Sequence, residues 1–333
     1  MGSDMQRREF ITLLGGAAVA WPLGARAQQP ERLRRIGVLD GYGQSDPEGR
    51  ARTESFAQGL QKLGWLDGQN VKIEYRFGAA DPGRLEKDAA ELVGQKPDVI
   101  VATTTLIAQT VLKHSRSTPI IFVKVSDPIA SGLVVSLARP GGNITGFTNY
   151  ESSLAGKWIG LLKEVAPRTG KIAVLGNAQN PAGIMFFNSI EAAGASVGVQ
   201  VSAFGVSGPA DIERAMDLIV READIGLVVL PEPVTGTNRT LIIELAARYH
   251  LPAIYPFRFF TASGGLIAYG VDQYELYRRA ASYVDRILRG AKTAELPVEQ
   301  PTKFDLAINL KTAKALGLEI PPQLLTRADE VIE

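Results

Sequence analysis

The sequence predicts an α/β protein built as two doubly wound parallel-sheet lobes joined by three hinge crossings. Three observations predict it. Short apolar runs alternate with amphipathic helical segments along most of the chain. The alternation halts at SDPIASGLVVSLARPGGNITGFTNY, residues 126–150, and then begins again. The chain has 333 residues, enough for two domains at about 100–200 residues each.

The first series starts at Arg35-Ile36-Gly37-Val38-Leu39-Asp40, a short apolar run suited to a buried parallel strand. Phe56, Leu60 and Leu63 mark one face of a helix that stops at Gly64. Val71–Phe77 alternates as a half-covered strand does. Leu85, Ala89, Leu92 and Val93 give a second helix, Val99–Ala102 a strand, Ile107–Leu112 a helix, and Ile120–Val123 a strand opened by Pro119. Strand and helix in turn imply a parallel sheet with helices on both faces. Arg139-Pro140-Gly141-Gly142-Asn143 is a turn, and Ile144–Thr148 reads as an extended crossing between lobes.

The second series repeats the first. Leu154, Trp158, Leu161, Leu162 and Val165 share a helical face; Ile172–Leu175, Val199–Phe204, Gly226–Leu230 and Pro252–Tyr255 are strands. Asp211 is placed as the cap of one intervening helix and Asn238 as the cap of the next. Gly265–Gly270 is a short strand, and Val271-Asp272 a return crossing. The helix carrying Tyr277, Ala280, Ala281, Val284, Ile287 and Leu288 is expected on the first lobe, and the tail from about residue 303 on the second. The expected division is 1–27 as an export signal, 34–144 with about 272–300 as lobe one, and 145–271 with about 301–333 as lobe two.

Composition removes several classes of function. Net charge is +1 and no long basic run occurs, so nothing points to nucleic acid. There is no cysteine, which excludes structural disulfides, thiolate catalysis and Cys-based zinc sites. Arg7-Arg8-Glu9-Phe10-Ile11, the apolar run Leu13–Leu23 and Ala25-Arg26-Ala27 form a secretory signal of twin-arginine type. The mature chain is then expected to start near Gln28, to be periplasmic and soluble, and to carry neither a lipid anchor nor a membrane-inserted segment.

In open parallel sheets ligands bind beyond the carboxyl ends of the strands. Two hinged sheets bring those ends together around a cleft that closes by bending. The candidate loops are Gly41–Ser45, Thr103–Thr105 and Lys124–Asp127 in one lobe, and Asn177–Pro181, Pro231–Pro233 and Pro256–Arg258 in the other. Thr103, Thr104 and Thr105 either offer hydroxyl and N–H groups to an anion at a helix start or simply cap that helix. Asp127 and Glu232 either receive an ammonium group or serve as a turn residue and a solvated loop acid. Tyr42, Tyr255 and Phe257 either sandwich a ring or aliphatic chain or belong to core and rim. Asn177 and Asn180 bond ligand or cap the next helix, and Asp272 fixes a hinge. No sequence pattern of nucleotide binding, of a nucleophilic serine or of a zinc protease occurs. His114 and His250 fall near helix ends away from the cleft. No enzyme activity, metal or cofactor is expected.

Taken together, Arg7–Gly16, Ser126-Asp127-Pro128 with Gly132-Leu133-Val134, Arg139–Gly146, Pro301–Lys311 and Ala328–Ile332 resemble the bacterial ABC-transporter substrate-binding proteins related to tryptophan- and tyrosine-binding components. The resemblance spans nearly the whole chain. It implies a type I periplasmic-binding fold, closure on a small amino-acid or carboxylate ligand, and delivery to an ABC permease driven by an ATPase. It also implies that Thr103, Thr104, Ser126 and Asp127 in one lobe, and Asn177 and Glu232 in the other, hold an amino-acid head group. Pro231-Glu232-Pro233 departs from the more polar loop expected of a tryptophan binder. Two other readings share the architecture: a sensory ectodomain for a membrane receptor, and a secreted α/β enzyme.

Overall fold

Successive side chains point to opposite faces of a strand, so the continuous apolar runs at the sheet centres present two apolar faces, and each needs a helical layer. The computed structural model describes residues 33–77, 82–150, 153–177 and 179–333; the expected export signal lies outside the described residues. The first series folds as β1 (Arg34–Leu39), α1 (Pro47–Lys62), β2 (Val71–Arg76), α2 (Pro82–Gly94), β3 (Val99–Ala102), α3 (Thr105–His114), β4 (Ile120–Val125) and β5 (Ile144–Thr148). They form one all-parallel sheet in the order β2-β1-β3-β4-β5. Ile36, Val38, Val101 and Ile121 face Phe56 and Leu60. Leu39, Ile100, Ala102 and Phe122 face Leu85, Leu92, Ile107 and Val111.

The second series comprises α4 (Leu154–Val165), β6 (Lys171–Gly176), α5 (Pro181–Ser196), β7 (Gln200–Gly205), α6 (Pro209–Ile219), β8 (Ile225–Val229), α7 (Pro233–Thr237), α8 (Arg239–Arg248), β9 (Ala253–Tyr255), α9 (Arg258–Ala262) and β10 (Ile267–Gly270). After them come α10 (Gln273–Leu288), β11 (Asp305–Asn309), α11 (Leu310–Ala315), α12 (Pro322–Arg327) and β12 (Glu330–Ile332). The second sheet runs β12-β11-β10-β9-β8-β6-β7. Trp158, Leu162, Phe186 and Ile190 cover one face of it; Ile212, Met216, Ile219 and Ile242 cover the other.

The helix ends are set by local chemistry. Asp46 accepts from the N–H groups of Glu48 and Gly49 to start α1, and Asn180 accepts from Ala182 to start α5, each with Pro at the first turn. Asp272 does the same for α10 through Tyr274 and Glu275. That helix lies on the first lobe. Ala281 packs where Gly59 of α1 has no side chain, Trp65 Nε1 donates to Asp285 at 2.8 Å, and the Tyr277 hydroxyl donates to Asp40 at 2.9 Å. The tail returns to the second lobe, where β11 pairs with β10 and Leu324 enters the core. The chain thus passes between lobes after β5, between β10 and α10, and before β11.

Four details correct the sequence expectations. Ile144–Thr148 is a paired edge strand of the first sheet, so the crossing comes after it. β11 runs antiparallel to β10, because the tail enters the sheet from the far lobe. Gly208, not Asp211, precedes the first turn of α6; the Asp211 carboxylate instead accepts from Ser207 N–H at 3.0 Å. Asn238 holds the N-cap position of α8 as expected, but its side chain makes no capping bond and its amide donates to the Val234 carbonyl instead.

Candidate functional site

The carboxyl ends of the parallel strands from both sheets meet at one seam. Tyr42 follows β1, Thr104 and Thr105 follow β3, and Lys124 and Ser126 close β4; opposite them stand Asn180, Ala182, Pro231 and Pro233. They leave a gap of about 20 Å³, about the room of one water. A second gap, of about 90 Å³, shares Thr105 and Ala182 and adds Asp127, Ser131 and Met185. The lobes touch directly. Arg239 Nη1, from α8, donates to Asp46 Oδ2 at 3.0 Å, with both side chains largely buried. Gly236 of α7 lies so close to the Tyr42 ring that any Cβ would collide with the phenol oxygen.

Of the residues expected at the site, Tyr42, Thr104, Thr105, Ser126, Asp127 and Asn180 are brought to the seam. Thr104 also caps α3, accepting from Ile107 N–H at 3.3 Å, so its two roles coexist. The Ser126 hydroxyl donates to Asn149 Oδ1 at 3.1 Å, and Asp127 Oδ1 accepts from the N–H groups of Ile129 and Ala130. Thr103 is fully buried one layer below and accepts from Gly41 N–H at 3.3 Å, which fixes the first loop.

Glu232 is turned inward. Its carboxyl accepts from the Asn177 N–H and, at 3.0 Å, from the Asn180 amide, tying the loop after β6 to the loop after β8. Burial outweighs those two bonds and pushes the carboxyl up to about 7. Gly183 is needed beside it, because a Cβ there would strike the carboxyl oxygen. Asn177 also accepts from Gln179 N–H at 2.9 Å, so both residues shape the loops.

Three expected residues stand elsewhere. Tyr255 is buried in the second lobe and stacks on Phe260 at 5.0 Å. Phe257 stacks on Phe259 at 5.7 Å. Tyr255 ends the short strand β9 and Phe257 follows it, and both rings turn into the core rather than to the seam. Asp272 caps α10 and pairs with Arg278 at 3.6 Å, beside an open recess that Arg258 and Tyr274 also line.

The structure adds residues that the sequence reading left without a role. The Arg52 guanidinium lies 3.9 Å from the centre of the Tyr42 ring, and Lys124 Nζ lies 5.1 Å from it. Arg52 Nη1 donates to Gln273 Oε1 at 3.2 Å, while its Nε and Nη2 have no hydrogen-bond partner. Burial first, and the neighbouring Arg52 second, pull the Lys124 ammonium down to about 7. Burial likewise pushes the Tyr42 phenol up to about 12. The available signal was a lysine inside the otherwise apolar strand IIFVKV. Among the described residues no group of acids and histidines is placed to hold a metal ion, and no helix is long and apolar enough to cross a membrane.

With that geometry in hand, the comparisons with known proteins fall into place. The chain is 27% identical over 266 residues to a tyrosine-binding protein of Clostridioides difficile, a match covering 80% of this chain and 76% of that protein. An ABC domain in complex with L-Trp from Streptococcus pneumonia superposes with a TM-score of 0.84 at 25% identity, covering 90% of this chain and all of that one (100%). A ligand-free, open substrate binding protein with adhesive properties from Clostridium difficile reaches 0.66 at 25% identity, covering 90% and 99%. The better fit to the ligand-bound structure agrees with the contacts across the seam. The match to the description "ABC transporter substrate binding protein" runs over residues 45–332, and with it this chain belongs to that family of binding proteins rather than to a family of enzymes.

Proposed function

We propose that this chain is the exported solute receptor of an ABC importer, and that it closes its two lobes over an amino-acid-like or carboxylate ligand. The observation that carries this reading is the convergence of polar groups from both lobes on one seam. Thr104, Thr105, Ser126 and Asp127 come from the first lobe and Asn180 from the second, with the Tyr42 ring as an apolar wall. Asp127 is suited to an ammonium group, since its Oδ1 is held by two backbone N–H groups and the residue lines the larger gap. Glu232, Asn177 and Thr103 support these residues from behind. The relatives named as binding tyrosine and L-Trp favour an aromatic amino acid. An amino acid is larger than the present gaps, so binding requires the lobes to part and then settle around it. The arginine-pair leader favours export, and the family favours hand-over to a permease driven by an ATPase.

Thermal melting of the mature chain with a panel of L-amino acids and small carboxylates tests this reading. A saturable rise in Tm with at least one of them is expected, as mass action requires. A flat response across the panel refutes it.

A further inference from the structure

The first lobe carries a buried charge imbalance at the seam. Two cations, Arg52 and Lys124, face the carboxylate of Asp40, whose oxygens already accept from the Tyr42 N–H and the Tyr277 hydroxyl. The nearby Asp46 is spent on the first turn of α1 and on Arg239. Buried charges are ordinarily paired, because an unpaired one forfeits its hydration without return. Lys124 is more than nine-tenths buried, yet it makes no hydrogen bond and no ion pair with any described residue. Its ammonium lies over the faces of Tyr42, at 5.1 Å, and Tyr277, at 5.9 Å, and feels Asp40 and Asp46 only through space. The backbone singles out the same residue. Lys124 sits at φ 61° in a bulge where the register of β4 against β5 shifts between Val123 and Val125. A bulge of this kind re-aims a side chain, and here it places Lys124 in the wall of the gap between the lobes, beside Thr104, Thr105 and Ser126.

We infer that Lys124 is the group that receives the ligand's carboxylate, so that the seam selects its ligand by the acid end rather than by the amine. This rests on the binding role proposed above and names the specificity residue within it. The Thr104 hydroxyl, whose own proton is uncommitted, adds a donor for the same carboxylate, and Arg52 adds its charge from the Tyr42 ring. Ligand binding then draws a proton onto Lys124. The charged and titratable groups around it are Arg52, which opposes that proton, Asp40 and Asp46, which favour it, and the neutral phenols of Tyr42 and Tyr277.

The test is isothermal titration calorimetry of the mature chain with L-tyrosine and L-tryptophan, with their des-amino acids (hydroxyphenylpropionate and indolepropionate), and with the amines tyramine and tryptamine. At least one acid is expected to bind, with its matching amine weaker by about 100-fold or more. Paired titrations at pH 8 in phosphate and in Tris are expected to show net proton uptake, and affinity is expected to fall up to about tenfold per pH unit above pH 7. Lys124→Met is expected to abolish both the uptake and most of the acid affinity. An amine that binds as tightly as its acid, or a Lys124→Met protein that keeps acid affinity within about twofold, overturns the lysine assignment and leaves the binding role standing. A wild-type protein that binds none of these acids overturns the lysine assignment for aromatic ligands, and the binding role falls with it only if the whole panel of amino acids and carboxylates is also silent. The wild-type comparison of acid with amine decides the matter even if the variant does not fold.

Discussion

Two ionisable side chains face the seam region from opposite lobes, and the fold treats them differently. Glu232, after β8, is surrounded by donors and holds two loops together. Lys124, at the end of β4, is also buried, but its ammonium makes no hydrogen bond or ion pair with a described residue. Burial pushes both toward about 7, the acid from below and the amine from above. A buried charge met by donors behaves as scaffold, whereas a lysine in the wall of the gap with no hydrogen bond of its own is placed to meet a ligand, as inferred above.

The sharpest way to break this comparison is to remove the scaffold partner. Glu232→Ala strands the Asn177 N–H and the Asn180 amide and is expected to cost about 4 kcal/mol in urea unfolding. Glu232→Gln keeps one acceptor and the shape, and is expected to cost under half as much. Equal losses in the two variants would mean that the carboxyl ties nothing together.

The pH dependence of stability comes next in size. The Glu232 value in the fold lies above the ordinary 4.5, so the native state holds an extra proton between about 4.5 and 7, and stability falls as pH rises through that window. The Lys124 value lies below the ordinary 10.5, so the native state has already released a proton that the unfolded chain retains, and stability rises between about 7 and 10.5. The acid limb is on the order of 3 kcal/mol. Without ligand, the pair is expected to give a minimum of Tm near pH 7. Glu232→Gln should flatten the acid limb and Lys124→Met the alkaline one. Lys124→Met should also melt higher than wild type at pH 6, since it removes an uncompensated buried cation. A wild-type profile that peaks at neutrality contradicts both assignments.

Smaller effects sharpen the contact between the lobes. Gly236→Ala is expected to leave the melting temperature level or slightly raised, because alanine favours helix. It should weaken ligand binding by about tenfold, because the added methyl meets Tyr42 only when the lobes close. Small-angle scattering with saturating ligand should show the variant more extended than wild type. Arg239→Ala should cost about 1 kcal/mol of ligand affinity, and less in high salt.

Much of this was legible in the sequence because it follows from local rules. The strand-and-helix alternation placed nearly every element, and the strand-end rule placed Thr104, Thr105, Ser126, Asp127 and Asn180 at the seam. What stayed hidden depends on the direction of side chains. Tyr255 and Phe257 lie at a strand end much as Tyr42 does, but at the end of a three-residue strand the chain turns their rings into the core. Lys124 lay within a candidate loop with no role, because the bulge that aims it is a property of pairing between β4 and β5. Ile144–Thr148 looked like a connector because its partner strand precedes a long turn, and only the register shows that it completes the first sheet.

The clasp between Asp46 and Arg239 has a consequence for release. Asp46 divides its two oxygens, one held by the amides of Glu48 and Gly49 and the other by the guanidinium across the seam. Arg239 in turn also donates to the carbonyl of Gly236 on its own side. When the jaws separate, each member keeps a bond at home and water supplies what is left. The fastening therefore lets go without stranding either charge, so that parting the seam costs little.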